Sequence, residues 1–360
     1  GFWLAVGIGF ILIIVMRSFY PVYGWLGIDP EVSILAQGYL DGLSWGVFGA
    51  LGYHTLKQMS EGIGRTVPIM IVMLCALPIN ILLNYILMFG KVLPNPMGAP
   101  GCGLGSGISF WLMFFMLYFY IKYSKRYDSL FSSFSLVSPD QVTLKRLMRL
   151  GLPIGFSFFL QSSLFTSVAL LMGLLGTQAI AAHQIVLNFS GLVFMLPLGL
   201  GMALTICVGQ AVGRNDLTSA TRIGITGISI CTLISCLSAS LTWFFAGDIA
   251  KLYTSDERIA SLAIDLFRIA VFLQVGDAVQ TAAAFCLRGL KDTRVPMILN
   301  GLNYWGVGFV TAYLAGIVFH KGPDGIWSGI AISLCLAGVL LVTRFIFLTR
   351  SLRKAHARIS

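Results

Sequence analysis

The chain reads as an all-α, multi-pass membrane protein of ten transmembrane helices, arranged as two homologous lobes. Three observations predict this. Of 360 residues, 57% are hydrophobic and only 11% charged, with a mean hydropathy of +0.87, more apolar matter than a soluble core of this size needs. Uncharged runs of bilayer-spanning length recur between charged residues. Short segments also recur in the same order at a nearly constant offset.

The spans follow in order. Residues 1–16 are an apolar run, and the stretch around 34–53 is a second span. Residues 66–90 and 92–121 are uncharged and of crossing length. The interval 150–213 holds no Lys, Arg, Asp or Glu and is too long for one span. It must contain two, turning near Leu175-Gly176-Thr177. Residues 223–247, 259–287, 295–319 and 325–343 complete the ten. Helices that satisfy their own backbone are the plausible way for such runs to cross hydrocarbon.

The repeat is explicit. Asp29-Pro30-Glu31-Val32 matches Asp256-Glu257-Arg258-Ile259, and Gly62-Ile63 followed by Thr66 matches Gly289-Leu290 followed by Thr293, both 227 residues apart. Gly103-Leu104-Gly105-Ser106-Gly107-Ile108 matches Gly325-Ile326-Trp327-Ser328-Gly329-Ile330 at an offset of 222. The expected organisation is a first lobe over 1–121, a cytoplasmic connector over 122–149, a second lobe over 150–349 and a basic cytoplasmic tail over 350–360. The connector carries Ser129, Ser132, Ser133, Ser135, Ser138 and Pro139 among its charges. Residues from about 145 to 225 have no counterpart in the first lobe. The expected intact protein therefore has two further helices before Gly1 and twelve spans as six plus six. A cleaved signal peptide would leave the duplication lopsided.

A formal charge of +10 invites a nucleic-acid reading, but the basic residues alternate with the spans and form no patch. If Lys122, Lys125, Arg126, Lys145, Arg146 and Arg149 are cytoplasmic, the loops on that side and the tail hold 18 of the 24 Lys and Arg. That asymmetry orients the chain with its C-terminus inside. The expected partners are a lipid bilayer and a small molecule, with no nucleic acid, and a monomer. The seven cysteines (Cys75, Cys102, Cys207, Cys231, Cys236, Cys286, Cys335) are odd in number and scattered through apolar helices. They read as packing residues, neither a disulfide set nor a metal cluster. HExxH, P-loop and paired CxxC patterns are absent from the sequence, so an enzyme is not expected and no cofactor is implied.

Asp277 is the most informative single residue. It lies 19 residues after Arg258 and 11 before Arg288, about 16 Å from the Arg288 end at helical rise and near the middle of a ~30 Å hydrocarbon core. An aspartate there costs roughly 2.5–3.5 kcal/mol on insertion scales. Its repeat counterpart is Ala50, so a lobe of this kind can be built without the acid. Taking up and releasing a proton or cation while a substrate crosses explains it; a hydrogen bond to a neighbouring helix is the structural alternative. Gln274 and Gln280 flank it by three residues on the same helical face. Arg268 and Asp265 read as an ordinary i, i+3 pair, and Asp41 as an interfacial or paired carboxylate. Ser157, Thr166, Asn300 and Asn303 are candidates for a cavity wall. His183 reads as an interfacial or packing imidazole. Pro197 sits mid-helix, where it frees a carbonyl and permits either a hinge or a static kink. Gly199, Gly201, Gly209 and Gly213 suit close helix packing.

Leu150-Gly151-Leu152-Pro153-Ile154, Ala182-His183-Gln184-Ile185 with Asn188-Phe189, and Leu287-Arg288-Gly289-Leu290-Lys291-Asp292-Thr293-Arg294 together resemble the multidrug and toxic compound extrusion (MATE) transporters, in particular the bacterial NorM-like group. The resemblance runs essentially the whole length. It implies a 6+6 duplicated MATE-type fold of which this chain is helices three to twelve, in a bacterial inner membrane. It also implies export of organic cations and other amphipathic compounds in exchange for sodium or protons. An acid on helix ten, matching Asp277, belongs to the family's cation site. The family's helix-seven glutamate falls at Gln161, an amide that cannot exchange a proton or neutralise sodium. The expectation is that Asp277 alone carries coupling in this lobe. Gln161, Gln184 and Asn188 would serve as neutral ligands, with protons favoured over sodium, although Na+ at Asp277 stays open. A lipid-linked oligosaccharide flippase of the same superfamily, or an exporter of anionic metabolites, is the alternative. Flippases hold pyrophosphate with several basic residues, whereas the second-lobe helices here offer only Arg268.

Overall fold

The computed structural model describes residues 1–25, 27, 29–90, 96–127 and 140–356, with no side-chain detail at 355 and 356. The chain divides into two compact units, Gly1–Leu147 and Met148–Ser360. Every regular element among the described residues is helical.

The first unit contains α1 (Phe2–Arg17), α2 (Tyr20–Trp25), α3 (Pro30–Ser44), α4 (Val47–Gly62), α5 (Val67–Phe89) and α6 (Gly98–Tyr123). The second contains α7 (Gln141–Leu174), which begins in the first, then α8 (Thr177–Gly213), α9 (Leu217–Tyr253), α10 (Glu257–Gly289), α11 (Arg294–Val318) and α12 (Gly322–His356). Eight of these are long and apolar enough to cross a membrane, α5 to α12, and α1 is a shorter apolar helix.

The turn expected near Gly176 is there. α7 ends at Leu174 and α8 begins at Thr177, with Gly176 at φ +111°, a backbone conformation that a side chain would strain. Capping explains other starts. The Asp256 carboxylate accepts from the Arg258 and Ile259 amides, at 2.9 and 3.4 Å, opening α10. Asp29 accepts from the Glu31 amide at 2.9 Å with Pro30 at the first helical position, opening α3.

Three expectations need correction. The single span around 34–53 is broken. α3 stops at Ser44 and α4 begins at Val47, because Gly46 lies against Gly107 with no room for a Cβ, and the Trp111 indole donates to the Trp45 carbonyl at 2.8 Å. A side chain that takes a ladder carbonyl is a recognised cause of such breaks. The connector is shorter than 122–149. α6 runs to Tyr123, and 141–149 already belong to α7, capped by Asp140, whose carboxylate accepts from Thr143 Oγ1 at 2.6 Å and from the Thr143 and Val142 amides. Those hydrogen bonds, Thr143's hydroxyl foremost, hold the Asp140 carboxyl below its ordinary range. Ser129, Ser132, Ser133, Ser135, Ser138 and Pro139 lie outside the described residues, as do 92–95 of the expected 92–121 span. The basic tail is the end of α12 as far as His356, with Arg350, Arg353 and Lys354 exposed; Arg358 lies outside the described residues.

In the second unit α10 is the central helix. Half of its most apolar window is buried, against 22–28% for α7, α8, α9 and α11, and it packs on α8, α9 and α12. Small residues make the approach close. A Cβ on Gly276 would stand 2.8 Å from the Cys335 backbone nitrogen, and one on Gly201 would stand 2.8 Å from the Phe285 ring. Without a hydrophobic drive between helices in lipid, such close packing and interhelical hydrogen bonds hold the bundle. Of the four glycines singled out for packing, Gly201 and Gly209 face α10, whereas Gly199 and Gly213 have open space around them. α11 widens into π-helical turns at Leu302–Phe309 and Leu314–Val318.

Candidate functional site

α10 turns a polar stripe inward. Asp277 is 7% exposed, and Gln274, Gln280 and Thr281 are equally buried. Beside them lies a chamber of about 270 Å³. Its walls are mainly aromatic and aliphatic, with Phe158 and Phe165 from α7, Phe194 and Pro197 from α8, and Trp327 from α12. Its polar groups are Gln161, Ser162, Ser190, Ser235, Gln274 and Asp277.

These polar groups are short of partners. Among the described residues, Asp277 Oδ1, both side-chain polar atoms of Gln274 and Ser190 Oγ have no hydrogen-bond partner. A buried acceptor left unpaired costs roughly 1–3 kcal/mol, more when charged. So many in one chamber define a place for something that brings charge or hydrogen bonds with it. A carboxyl can meet the deficit itself by holding a proton, because the protonated form is a donor. A cation is the other solution. Gln161 lends an amide to the same chamber but cannot change its charge.

A second, smaller pocket of about 20 Å³ adjoins it, lined by Ser157, Gln280, Thr281, Asn300 and Arg288 and sharing Phe158, Gln161 and Phe194 with the chamber. Gln280 Oε1 and Asn300 Oδ1 are buried there without partners. Ser157 donates to the Pro153 carbonyl at 2.8 Å.

The sequence-derived candidates therefore separate. Asp277, Gln161, Gln274 and Pro197 meet at the chamber, and Gln280, Ser157 and Asn300 at the adjoining pocket. Gln184 and Asn188 do not join them. Both are exposed, and Asn188 accepts from the Tyr253 hydroxyl at 3.0 Å; it points about 200° around α8 from Ser190, which faces the chamber. Asn303 is also elsewhere, donating to the Ser333 carbonyl at 2.6 Å while Ser333 Oγ donates back at 3.0 Å, a reciprocal clamp between α11 and α12. Thr166 is exposed and bonds to its own helix. His183 is fully buried, edge-on to Trp327 at 5.6 Å. Asp265 and Arg268 form the exposed i, i+3 pair at 3.3 Å, and Asp41 accepts from Gln37 at 2.8 Å.

Ser162, Ser190, Ser235, Trp327 and Arg288 were missed. Arg288 had a signal, since eleven residues return it to within about 20° of Asp277 on the helical wheel, but its place at the end of an uncharged run assigned it to the interface. Ser235 lies on α9 and Ser190 on α8, and nothing local marks either as facing Asp277. No group of three or more His, Cys, Asp or Glu that could hold a metal occurs among the described residues, and the seven cysteines are free thiols.

An apolar bundle of spanning helices that buries an acid beside a partly polar chamber belongs to the class of membrane carriers. Residues 1–86 and 153–314 match the MatE family model, and the chain belongs to the MATE family, whose members are transporters and not enzymes. It is 35% identical over 355 residues to multidrug resistance protein MdtK of Proteus mirabilis, covering 97% of this chain and 78% of that protein. It is 36% identical over 345 residues to multidrug resistance protein PmpM of Pseudomonas aeruginosa, covering 94% and 72%. Among solved structures, a MATE protein in the bent conformation superposes with a TM-score of 0.88 at 20% identity, covering 99% of this chain and 78% of that one. The eukaryotic MATE transporter AtDTX14 superposes at 0.86, also at 20% identity, covering 100% and 79%.

Proposed function

We propose that this chain is a secondary antiporter that exports organic cations or amphipathic drugs and metabolites in exchange for protons, alternating access between its two units. Ten spans fit this reading, namely the eight long helices, α1 and the broken α3–α4 pair. The names of the MdtK and PmpM relatives support drug extrusion and their bacterial sources an inner-membrane location, while the asymmetry of Lys and Arg supports a cytoplasmic C-terminus.

The observation that carries the coupling step is the Asp277 carboxyl, buried and with Oδ1 unpartnered at the wall of the chamber. Protonated, it is neutral and can itself donate. Deprotonated, it offers a negative charge to an organic cation, whose flat face the Phe158, Phe165, Phe194 and Trp327 rings suit. Sodium is the alternative occupant, with Gln161 and Gln274 as neutral oxygen ligands. Pro197, at the chamber wall inside α8, would act as the hinge. Measuring efflux driven by a pH gradient and by a sodium gradient, in wild type and Asp277→Asn, tests the reading. Loss of both kinds of efflux in the variant is expected, and full activity in it sinks the proposal.

A further inference from the structure

α7 is fastened unequally along its length. Its C-terminal half enters a core of the second unit through Leu164, Val168, Leu171 and Met172. The other core of that unit, around Ala282, Leu287 and Phe345, contains no α7 residue. The N-terminal half carries Pro153 inside the helix, open space around Gly151 and Gly155, and exposed Leu152, Phe156 and Phe159. Its Phe158 ring meets a cation of α10. The Arg288 guanidinium lies 4.9 Å from the Phe158 ring centre and 4.3 Å from that of Phe285. Among the described residues it has neither an ion pair nor a hydrogen bond.

Arg288 lines the small pocket. That pocket, at about 20 Å³, has room for about one water, and the unpaired oxygens of Gln280 and Asn300 supply acceptors within it. It runs along the Asp277 face of α10 and shares the Phe158, Gln161 and Phe194 walls with the chamber. Chamber, pocket and guanidinium thus form a series leading away from Asp277 toward the C-terminal end of α10.

We propose that Arg288 is the plug of a proton pathway: clasped between Phe158 and Phe285, it closes the pocket that connects Asp277 with that side of the membrane. The proposal rests on the reading of Asp277 as the proton carrier. A plug that is itself a cation also repels hydronium and metal ions while it is shut. With no salt bridge to break, it is released when the N-terminal half of α7 moves Phe158 aside. A water in the opened pocket then takes the proton from the Asp277 carboxyl, or returns one to it.

The test is proton leak without substrate, read from a pH dye inside vesicles holding the purified chain under an imposed pH gradient. Arg288→Gln should raise leak about sixfold, the effect on a cation of deleting a unit charge ~16 Å away at an effective dielectric of about 20. Phe158→Leu, which loosens the clasp and keeps the charge, should also leak, and Arg288→Lys should leak less than Arg288→Gln. Combining Arg288→Gln with Asp277→Asn should return leak to the wild-type rate. Wild-type leak in both Arg288→Gln and Phe158→Leu overturns the plug, as does leak that survives in the double variant. The coupling reading fails separately, by normal gradient-driven efflux in Asp277→Asn alone.

Discussion

α10 in the second unit and the α3–α4 pair in the first occupy the same interval of the repeat. Residues 30–62, shifted by 227, are 257–289, the bounds of α10. The packing frame is shared. Gly49 meets the Trp111 backbone as Gly276 meets that of Cys335. Gly52 leaves room for the Phe114 ring on α6, and in the second unit the small residue has changed sides, with Gly338 on α12 leaving room for Val279. Two things differ. The first unit breaks its helix at Trp45-Gly46, and the second runs unbroken and carries an acid where the first has Ala50. The helix scaffold is therefore separable from the charge placed on it. In the unit with the acid, a chamber lined by unpaired polar atoms lies beside it.

The largest expected effect breaks that difference outright. Asp277→Asn should reduce gradient-driven efflux to the level of empty vesicles while the purified protein keeps its melting temperature. The converse change, Ala50→Asp, places a carboxylate in the frame without the chamber. It should cost roughly 2.5–3.5 kcal/mol, read as a lower melting temperature and reduced membrane insertion. Gly276→Val tests the shared frame, and overpacking against Cys335 should cost about 1–3 kcal/mol in thermal unfolding. Asn303→Ala removes the clamp to Ser333 and should cost about 0.6–2 kcal/mol of stability with the ion dependence of efflux unchanged. Smallest of all, Asn188→Ala and Gln184→Ala should leave both efflux and stability within about 0.5 kcal/mol of wild type.

Much of this architecture was legible in the chain. Charged residues bracket the spans, Gly176 marks the α7–α8 turn, and the repeat exposed Asp277 by its mismatch with Ala50. The break at Trp45 was not legible, because its cause, Gly107 and Trp111 on another helix, is sixty residues away. Gln184 and Asn188 were chosen for their chemistry within a motif, and chemistry does not say which way a helix faces. Wheel geometry does, and it puts Gln274, Asp277 and Gln280 on one buried face, the first two at the chamber and the third at the adjoining pocket. Ser190, Ser235 and Trp327 reach the chamber from three different helices, so only the tertiary fold brings them to it.

The π-helical turns of α11 carry a kinematic consequence. Each such turn stores one surplus residue relative to an α-helix, and moving that surplus along the backbone needs only a stepwise exchange of neighbouring amide bonds. Every side chain it passes rotates by about 100° while both ends of the helix stay in place. Asn303 and Tyr304, seated in such a turn, can thus swivel between α12 and the centre of the bundle without any sliding of α11 as a rod.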